Sequence, residues 1–327
     1  MRVGILGLGW IAERVALTLK EMSEEGIFLT AVGSRSLEKA RAFAEKFGAV
    51  KAYGSYEELA ADKDIDLIYI ATPHSHHYEH AKLCLSHNKN LLIEKAFTVN
   101  ARQARELIDI AKSKNLLIAE AIWTRYMPSR FALDKILASG VIGEAKSLTA
   151  NLGYDNIHTE RMYKPELAGG ALLDLGVYPI NFALAAFGND IERIVSRADM
   201  YHTGVDLRDY ITVYFEDGKT AELYASLDEF TDKKGVIQGS GGYIEFENIN
   251  NCECIKTYIN GAKDSRIVKF DVPKQITGLE YQFRSCKKAL ENNELETPEM
   301  PHSEIIKVME IMDSLRENWG VKYPNEY

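Results

Sequence analysis

Several things are scarce in this 327-residue chain, and each scarcity removes a class of function. Cysteine is the first: there are four, Cys84, Cys252, Cys254 and Cys286. Their spacing fits no zinc motif, and they are expected to stay as thiols in a cytoplasmic enzyme. Basic charge is the second: 39 Lys and Arg stand against 48 Asp and Glu, for a net charge of −9. Nucleic acid is therefore not expected as a partner, because binding phosphates needs clustered cations. Long apolar runs are the third. The most apolar stretch, residues 168–188, carries Asp174, Asn181 and several glycines, so no membrane span is expected. Repeats and low-complexity tracts are absent. Met1-Arg2-Val3 enters a strand-like pattern directly, and no signal peptide is expected. What is present is an ordinary globular balance, 46% apolar and 27% charged, on a chain long enough for two cores.

Arg2-Val3-Gly4-Ile5-Leu6 reads as a short apolar strand. Gly7-Leu8-Gly9-Trp10-Ile11-Ala12 follows without a spacer, and a helical pattern starts at once. Strand, glycine turn and helix in that order suit a bound pyrophosphate. Gly7 permits the tight turn. Gly9 lets the backbone approach the phosphates, and the helix start around Trp10 and Ile11 offers N–H groups to the anion. Ala12, in the third small position, still allows close packing of helix on strand.

To about residue 120, strand-like runs alternate with helical patterns. The runs are Val3–Leu6, Leu29–Gly33, Ala49–Tyr53, Leu67–Ala71, Asn90–Ile93 and Leu116–Ala119. The helices fall near 11–22, 36–47, 55–61, 75–87 and 100–114. This alternation predicts a doubly wound parallel sheet, with ligands at the carboxyl ends of its strands. The texture then changes. Helices are predicted at 128–139 and 170–187, and strands at 144–153, 191–200, 209–216, 219–227, 235–239, 242–247, 252–259 and 265–271. Closing helices are predicted near 277–292 and 302–318. The fold class is thus α/β for residues 1–122, followed by an α+β domain at 123–327 with a large, mostly antiparallel sheet. One face of that sheet must be covered by helices, and the other is left to solvent or to a second copy, giving an expected homodimer.

The second strand ends Gly33-Ser34-Arg35-Ser36. NAD-binding proteins usually carry Asp or Glu there, bonded to the ribose 2′-hydroxyl. Ser34, Arg35 and Lys39 instead suit a 2′-phosphate, which favours NADP over NAD. Four histidines crowd residues 74–80 at the exit of the fourth strand. No carboxylate is suitably placed to complete a metal set, so no metal is expected. Thr72, Pro73, His74 and His77 are expected to line the cofactor cleft or brace its turn.

The fifth strand ends Leu91-Leu92-Ile93-Glu94-Lys95. This puts Glu94 and Lys95 at the carboxyl edge of the sheet, with Lys95 near the nicotinamide. Farther along, Asp174 and Tyr178 would share a helix face at i,i+4, with Asn181 beside them. An acid, a phenol and an amide in an apolar helix are expensive to bury without purpose. Trp123, Arg125, Tyr154, Arg161 and Tyr163 are further candidates to line a pocket for a small molecule.

Strand–GLGWIA–helix, SRSLEKA, ATPHSHH, IEKAF, AIWTRYMP and GGALLDLGVYPI occur in that order. The chain resembles the Gfo/Idh/MocA oxidoreductases, in the branch of dimeric dihydrodiol dehydrogenases and NADP-dependent xylose dehydrogenases. The likeness covers almost the whole chain. It implies that Lys95 and Tyr178 are a catalytic pair, that Asp174 and Trp123 shape the substrate pocket, and that Arg35 and Lys39 meet the 2′-phosphate. It departs from the family at Ala96, where Pro is common, and at Tyr178, where many members carry His. A free phenol loses its proton only near pH ~10, and a neighbouring lysine cation favours the phenolate. The expected activity is therefore hydride exchange between NADP(H) and a carbinol or carbonyl carbon of a sugar, polyol or cyclic diol. Tyr178 would act as acid/base, and Asp174 would hold a neighbouring hydroxyl. Two alternatives are a regulator that keeps only the cofactor site, and a lyase or glycosidase that recycles tightly bound NAD. Lys95, Asp174 and Tyr178 together disfavour the first, and Arg35 and Lys39 the second.

Overall fold

Residues 1–260, 266–324 and 326 are described by the computed structural model. They pack as two compact units, Met1–Tyr126 with Gln275–Met309, and Met127–Lys274 with Glu310–Tyr327. A linear division at 122/123 leaves out the return of residues 275–309 to the first unit.

The first unit alternates strands and helices. These are β1 (Arg2–Leu6), α1 (Trp10–Glu21), β2 (Phe28–Gly33), α2 (Leu37–Phe47), β3 (Lys51–Tyr53) and α3 (Tyr56–Ala61). Then follow β4 (Leu67–Ile70), α4 (His77–Ser86), β5 (Asn90–Glu94), α5 (Ala101–Ser113) and β6 (Ile118–Ala121). All six strands are parallel, in the order β3-β2-β1-β4-β5-β6. The order reverses between β1 and β4, the switch point at which such sheets bind ligands. Val3, Ile5, Leu67, Tyr69 and Leu92 are fully buried, as expected for strands covered by helices on both faces. Local chemistry sets the helix starts. Ser36, Ser55 and Asn100 cap α2, α3 and α5 by accepting the N–H groups of Lys39, Glu58 and Gln103.

Two strand starts differ from the sequence reading for one reason. The Leu116 N–H is bonded to the Ala111 carbonyl at 2.9 Å, beyond a left-handed Asn115. The Ala49 N–H is likewise bonded to the Ala44 carbonyl at 3.1 Å, beyond a left-handed Gly48. These bonds close α5 and α2, so β6 and β3 begin two residues later than the apolar pattern suggests.

In the second unit lie α6 (Pro128–Ala138), β7 (Ala145–Gly153), α7 (Glu160–Tyr163) and α8 (Val177–Phe187). They are followed by β8 (Ile191–Met200), β9 (Asp206–Phe215), β10 (Thr220–Ser226), β11 (Gly235–Gly239), β12 (Gly242–Phe246), β13 (Cys254–Ile259) and β14 (Arg266–Asp271). Ser265, the first residue expected for the last strand, lies outside the described residues. The eight strands form one sheet in the order β14-β13-β12-β11-β7-β10-β9-β8. Its pairings are antiparallel except β7 with β10, which is parallel. Side chains alternate between the two faces along its central strands. Leu148, Ala150, Ile211, Val213, Leu223 and Ile237 are buried on one face, where α8 packs. Thr149, Thr212, Glu222 and Gln238 stand on the other.

Returning to the first unit, α9 (Glu280–Glu291) inserts Phe283, Cys286 and Ala289 into the core of β1, β4 and α1. The Phe283 ring lies 5.8 Å from that of Tyr69. Burying such a side chain contributes about 1.5–3 kcal/mol, which accounts for the return of this segment. The last helix is α10 (His302–Trp319).

Residues 165–187 are long and apolar enough to cross a bilayer, but 78% of the most apolar window is buried inside the protein. This is the behaviour of a core helix. It is also not one regular helix. Residues Leu172–Gly176 form a π-helical turn, and regular α-helix begins at Val177. Asp174 therefore sits in a wider turn than an i,i+4 reading assumes, a kind of insertion often found at functional sites.

Candidate functional site

The carboxyl ends of the parallel strands bring most of the sequence-derived candidates to one edge of the first sheet. Gly7 has φ +91°, a conformation that L side chains rarely adopt, and a Cβ there would lie 2.8 Å from the Thr72 methyl. Gly9 is the N-cap of α1 and caps it with no side chain. A Cβ on Gly9 would meet nothing within 4 Å. The helix thus starts without a side-chain cap among the described residues, behind a backbone that a pyrophosphate can approach. Trp10 is 74% exposed in that first turn, and Ile11 is half-buried. A dinucleotide fits this cradle.

At the end of β2, Ser34 is buried, and its Oγ accepts the Ser36 N–H at 3.3 Å. Arg35 and Lys39 are exposed at the start of α2. No carboxylate stands at the end of this strand, and two cations do, which fits a 2′-phosphate.

The four histidines divide their tasks. His80 Nδ1 meets Thr72 Oγ1 at 3.0 Å, and its ring lies 5.6 Å from that of His76. His74 Nε2 lies 3.2 Å from the Lys95 carbonyl. His77 is fully buried, with Nδ1 2.9 Å from the Ala96 carbonyl and Nε2 2.8 Å from the Thr72 carbonyl. A neutral ring donates to only one of these. Thr72 and Pro73 are half-buried at this turn. Burial pulls the His77 imidazole down to about 4, against hydrogen bonds to the carbonyls that favour the cation. His74 and His77 are thus braces of the segment after β5 in this structure.

Glu94, at the end of β5, is buried and accepts the Tyr69 hydroxyl. Lys95 follows, half-buried, and the Lys95–Ala96 peptide bond is cis. Trp123 lies in a turn after β6, with its ring against Gly278, where a Cβ would come within 2.6 Å of it. Arg125, read from sequence as a pocket residue, is buried and paired with Glu304 at 2.9 Å.

In the second unit, Asp174 is buried and paired with Arg161 at 2.7 Å, while Arg161 remains about half exposed. Tyr178 is buried in the first turn of α8. The Asn181 amide donates to the Val177 carbonyl at 2.9 Å, one turn back in the same helix. Tyr154 is engaged by Asn250 at 3.2 Å and by the Lys233 cation over its ring, and Tyr163 is half-buried in α7.

Besides Glu280, three buried carboxyls escaped the sequence reading. Asp206 Oδ2 accepts the Leu172 N–H at 2.5 Å, at the start of the π-turn that carries Asp174. Its neighbour Asp209 is fully buried. Burial, then the charge of Asp206, pushes the Asp209 carboxyl well above the ordinary carboxylate range. The signal was present in β9: Asp209 falls in the buried register of Ile211, Val213 and Phe215. The third is Glu120, inside the buried strand β6.

A glycine-turned helix start without a side-chain cap, at the switch point of a doubly wound sheet, defines a dinucleotide-binding protein. Comparison with known proteins narrows this. Residues 1–121 match the oxidoreductase family with an NAD-binding Rossmann fold, and residues 132–245 match the GFO/IDH/MocA C-terminal domain. The chain belongs to the GFO/IDH/MocA oxidoreductase family. It is 31% identical over 332 residues to human trans-1,2-dihydrobenzene-1,2-diol dehydrogenase, covering 100% of this chain and 99% of that protein. It is 32% identical to the D-xylose 1-dehydrogenase (NADP(+)) of Hypocrea jecorina, covering 99% and 93%. Among solved structures it is similar to a 3-ketoreductase from Actinomadura kijaniata in complex with NADP and TDP-benzene, at TM-score 0.87 and 26% identity over 97% of each chain. Other structures of that ketoreductase carry a lysine-to-alanine or a tyrosine-to-phenylalanine replacement.

The buried His77 makes stability depend on pH. The unfolded imidazole binds its proton near 6.5, the folded one only near 4. Between these values the unfolded chain holds the extra proton. Stability present above pH 6.5 is therefore lost as the pH falls to 4, by about 3 kcal/mol from this group. His77→Gln removes that share, so its urea midpoint should fall less steeply than wild type over this range. Parallel pH profiles for the two proteins would contradict the burial of a neutral His77.

Proposed function

We propose that this chain is an NADP(H)-dependent oxidoreductase that interconverts a carbinol and a carbonyl on a sugar, polyol or cyclic diol. The observation that carries this reading is the carboxyl edge of the first sheet. There the uncapped start of α1, the Arg35 and Lys39 cations and the half-buried Lys95 follow the carboxyl ends of β1, β2 and β5. The relatives support it: one is named for a dihydrodiol, one for D-xylose with NADP(+), and the ketoreductase was solved with NADP. Gly7 and Gly9 would admit the pyrophosphate, and Ser34, Arg35 and Lys39 the 2′-phosphate.

NADPH, when bound, supplies the hydride. The chain's own residues handle the charge and the proton. Lys95 presents a cation to the oxygen that becomes negative as a carbonyl is reduced. The Tyr178 hydroxyl gives that oxygen a proton, and in the oxidative direction it takes the proton from the alcohol. Asp174, fixed by Arg161, accepts a hydrogen bond from a hydroxyl on the adjacent carbon, which favours vicinal diols and sugars. Trp123 offers an apolar face to the ring.

We further propose that two copies associate through the open face of the eight-stranded sheet. That face carries Arg193 stacked on Tyr214 at 3.6 Å, Arg197 on Tyr210 at 3.7 Å, and Tyr243 on Tyr258 at 4.3 Å. Val195 stands 53% exposed on β8, between those two arginines. Aromatic and arginine side chains are enriched in interfaces.

Tyr178→Phe and Lys95→Met should each lower kcat by about 10²-fold or more for NADPH oxidation with a good carbonyl substrate, the scale of general acid–base and charge stabilisation. Wild-type turnover in either variant would remove that residue from the chemistry. Light scattering should give twice the chain's 36.8 kDa. A mass of one chain would contradict association through the sheet.

A further inference from the structure

Lys95, Ala96 and Phe97 form a segment whose backbone is fastened from two sides. From the fourth strand's exit come His74 on the Lys95 carbonyl and His77 on the Ala96 carbonyl. From the other side comes Glu120. It lies in β6, which pairs with β5 so that Glu120 is opposite Ile93. Its Oε1 accepts the Phe97 N–H at 3.0 Å, while Oε2 has no hydrogen-bond partner among the described residues. The side chain is fully enclosed, with 1% of Glu120 exposed. At the other end of the residue, the Glu120 carbonyl accepts the Tyr126 hydroxyl at 2.8 Å, which fixes the strand that carries it.

A buried carboxyl with one oxygen unmatched costs several times what a single hydrogen bond returns. The fold alone gives no reason for it here, since an apolar residue suits a strand covered on both faces. What the carboxyl does is set the position of the Phe97 amide, two residues after Lys95. The charged groups acting on it are Arg125, beyond the same strand, and Glu94 and Lys95 at the end of β5. Burial pushes the Glu120 carboxyl up to about 7. In either protonation state an oxygen faces the Phe97 N–H.

We propose that Glu120 is a positioning residue for Lys95, holding the Lys95–Phe97 backbone through the Phe97 amide. This rests on the reading of Lys95 as the cation that meets the reacting oxygen. A displacement of about 1 Å in such a group can cost on the order of 10² in rate. The acceptor at this place is what matters, not the charge.

The test compares Glu120→Gln, Glu120→Met, Glu120→Asp, Lys95→Met and the double variant Lys95→Met/Glu120→Met. The readouts are kcat and KM for NADPH-driven carbonyl reduction and the NADPH Kd by fluorescence titration. Glu120→Gln keeps an acceptor and should stay within about threefold of wild type, rescuing what Glu120→Met loses. Glu120→Met should lose about 30- to 100-fold in kcat with the NADPH Kd unchanged, because the cradle at Gly7 and Gly9 is untouched. Glu120→Asp keeps the charge but withdraws the acceptor by one methylene, so it should fall with Glu120→Met. It decides the matter alone if the methionine variant does not fold. Added to Lys95→Met, Glu120→Met should cost nothing further, since it acts through the group already removed. Wild-type kcat in Glu120→Asp or Glu120→Met, equal losses in Glu120→Gln and Glu120→Met, or additive losses in the double variant would each overturn the proposal. Wild-type kcat in Lys95→Met would instead overturn the underlying reading of Lys95.

Discussion

Everything at the candidate site of the first unit depends on six strands running parallel. A parallel sheet delivers every strand's carboxyl end to one edge, so each loop that leaves it starts from a fixed neighbour. Gly7 leaves β1, Ser34 leaves β2, Thr72 leaves β4, Lys95 leaves β5 and Trp123 follows β6. None of these residues needs a long loop to reach the edge, because the register of the ladder has already placed it. The core that keeps the register is apolar and closely packed, and α9 completes it from near the other end of the chain. Precision at the edge is therefore inherited from burial elsewhere in the unit.

The polar groups beneath that edge follow a common pattern. His77, Glu120 and Asp206 are each buried, and each bonds a backbone amide or carbonyl of a segment that carries a proposed functional residue. His77 and Glu120 hold the peptide units after Lys95. Asp206 holds the start of the turn that carries Asp174. Buried polar groups rarely improve stability over a well-packed apolar side chain, but they restrict a backbone to one position.

Much of this was legible from the residues. The glycine turn reads directly because its spacing is a covalent requirement of the backbone, and the inner strands read because both of their faces are buried and largely apolar. The missing carboxylate beside Ser34 and Arg35 reads because a ribose 2′ group needs a partner of opposite character. Other features lie outside local pattern. The return of residues 275–309 to the first unit is a long-range packing choice, and an amphipathic helix does not state which core it will join. The π-turn at Leu172–Gly176 follows no period that side-chain polarity records. The pairing of Arg125 with Glu304, far along the chain, is likewise a long-range contact that no local spacing records. Glu120 gave only the hint of a carboxyl inside an apolar strand, since its acceptor role depends on a backbone amide in a different segment.

Hydride transfer between NADP(H) and a substrate carbon leaves an isotopic record on the product. NADPH deuterated at its transferable position would be incubated with the protein and a panel of aldoses, ketoses and cyclic ketones, and the products examined by mass spectrometry and NMR. One deuterium per turnover is expected, bound at the new carbinol carbon, with NADP accumulating in equal amount. Turnover of substrate without deuterium in the product, or tight binding of NADPH with no turnover across the panel, would contradict it.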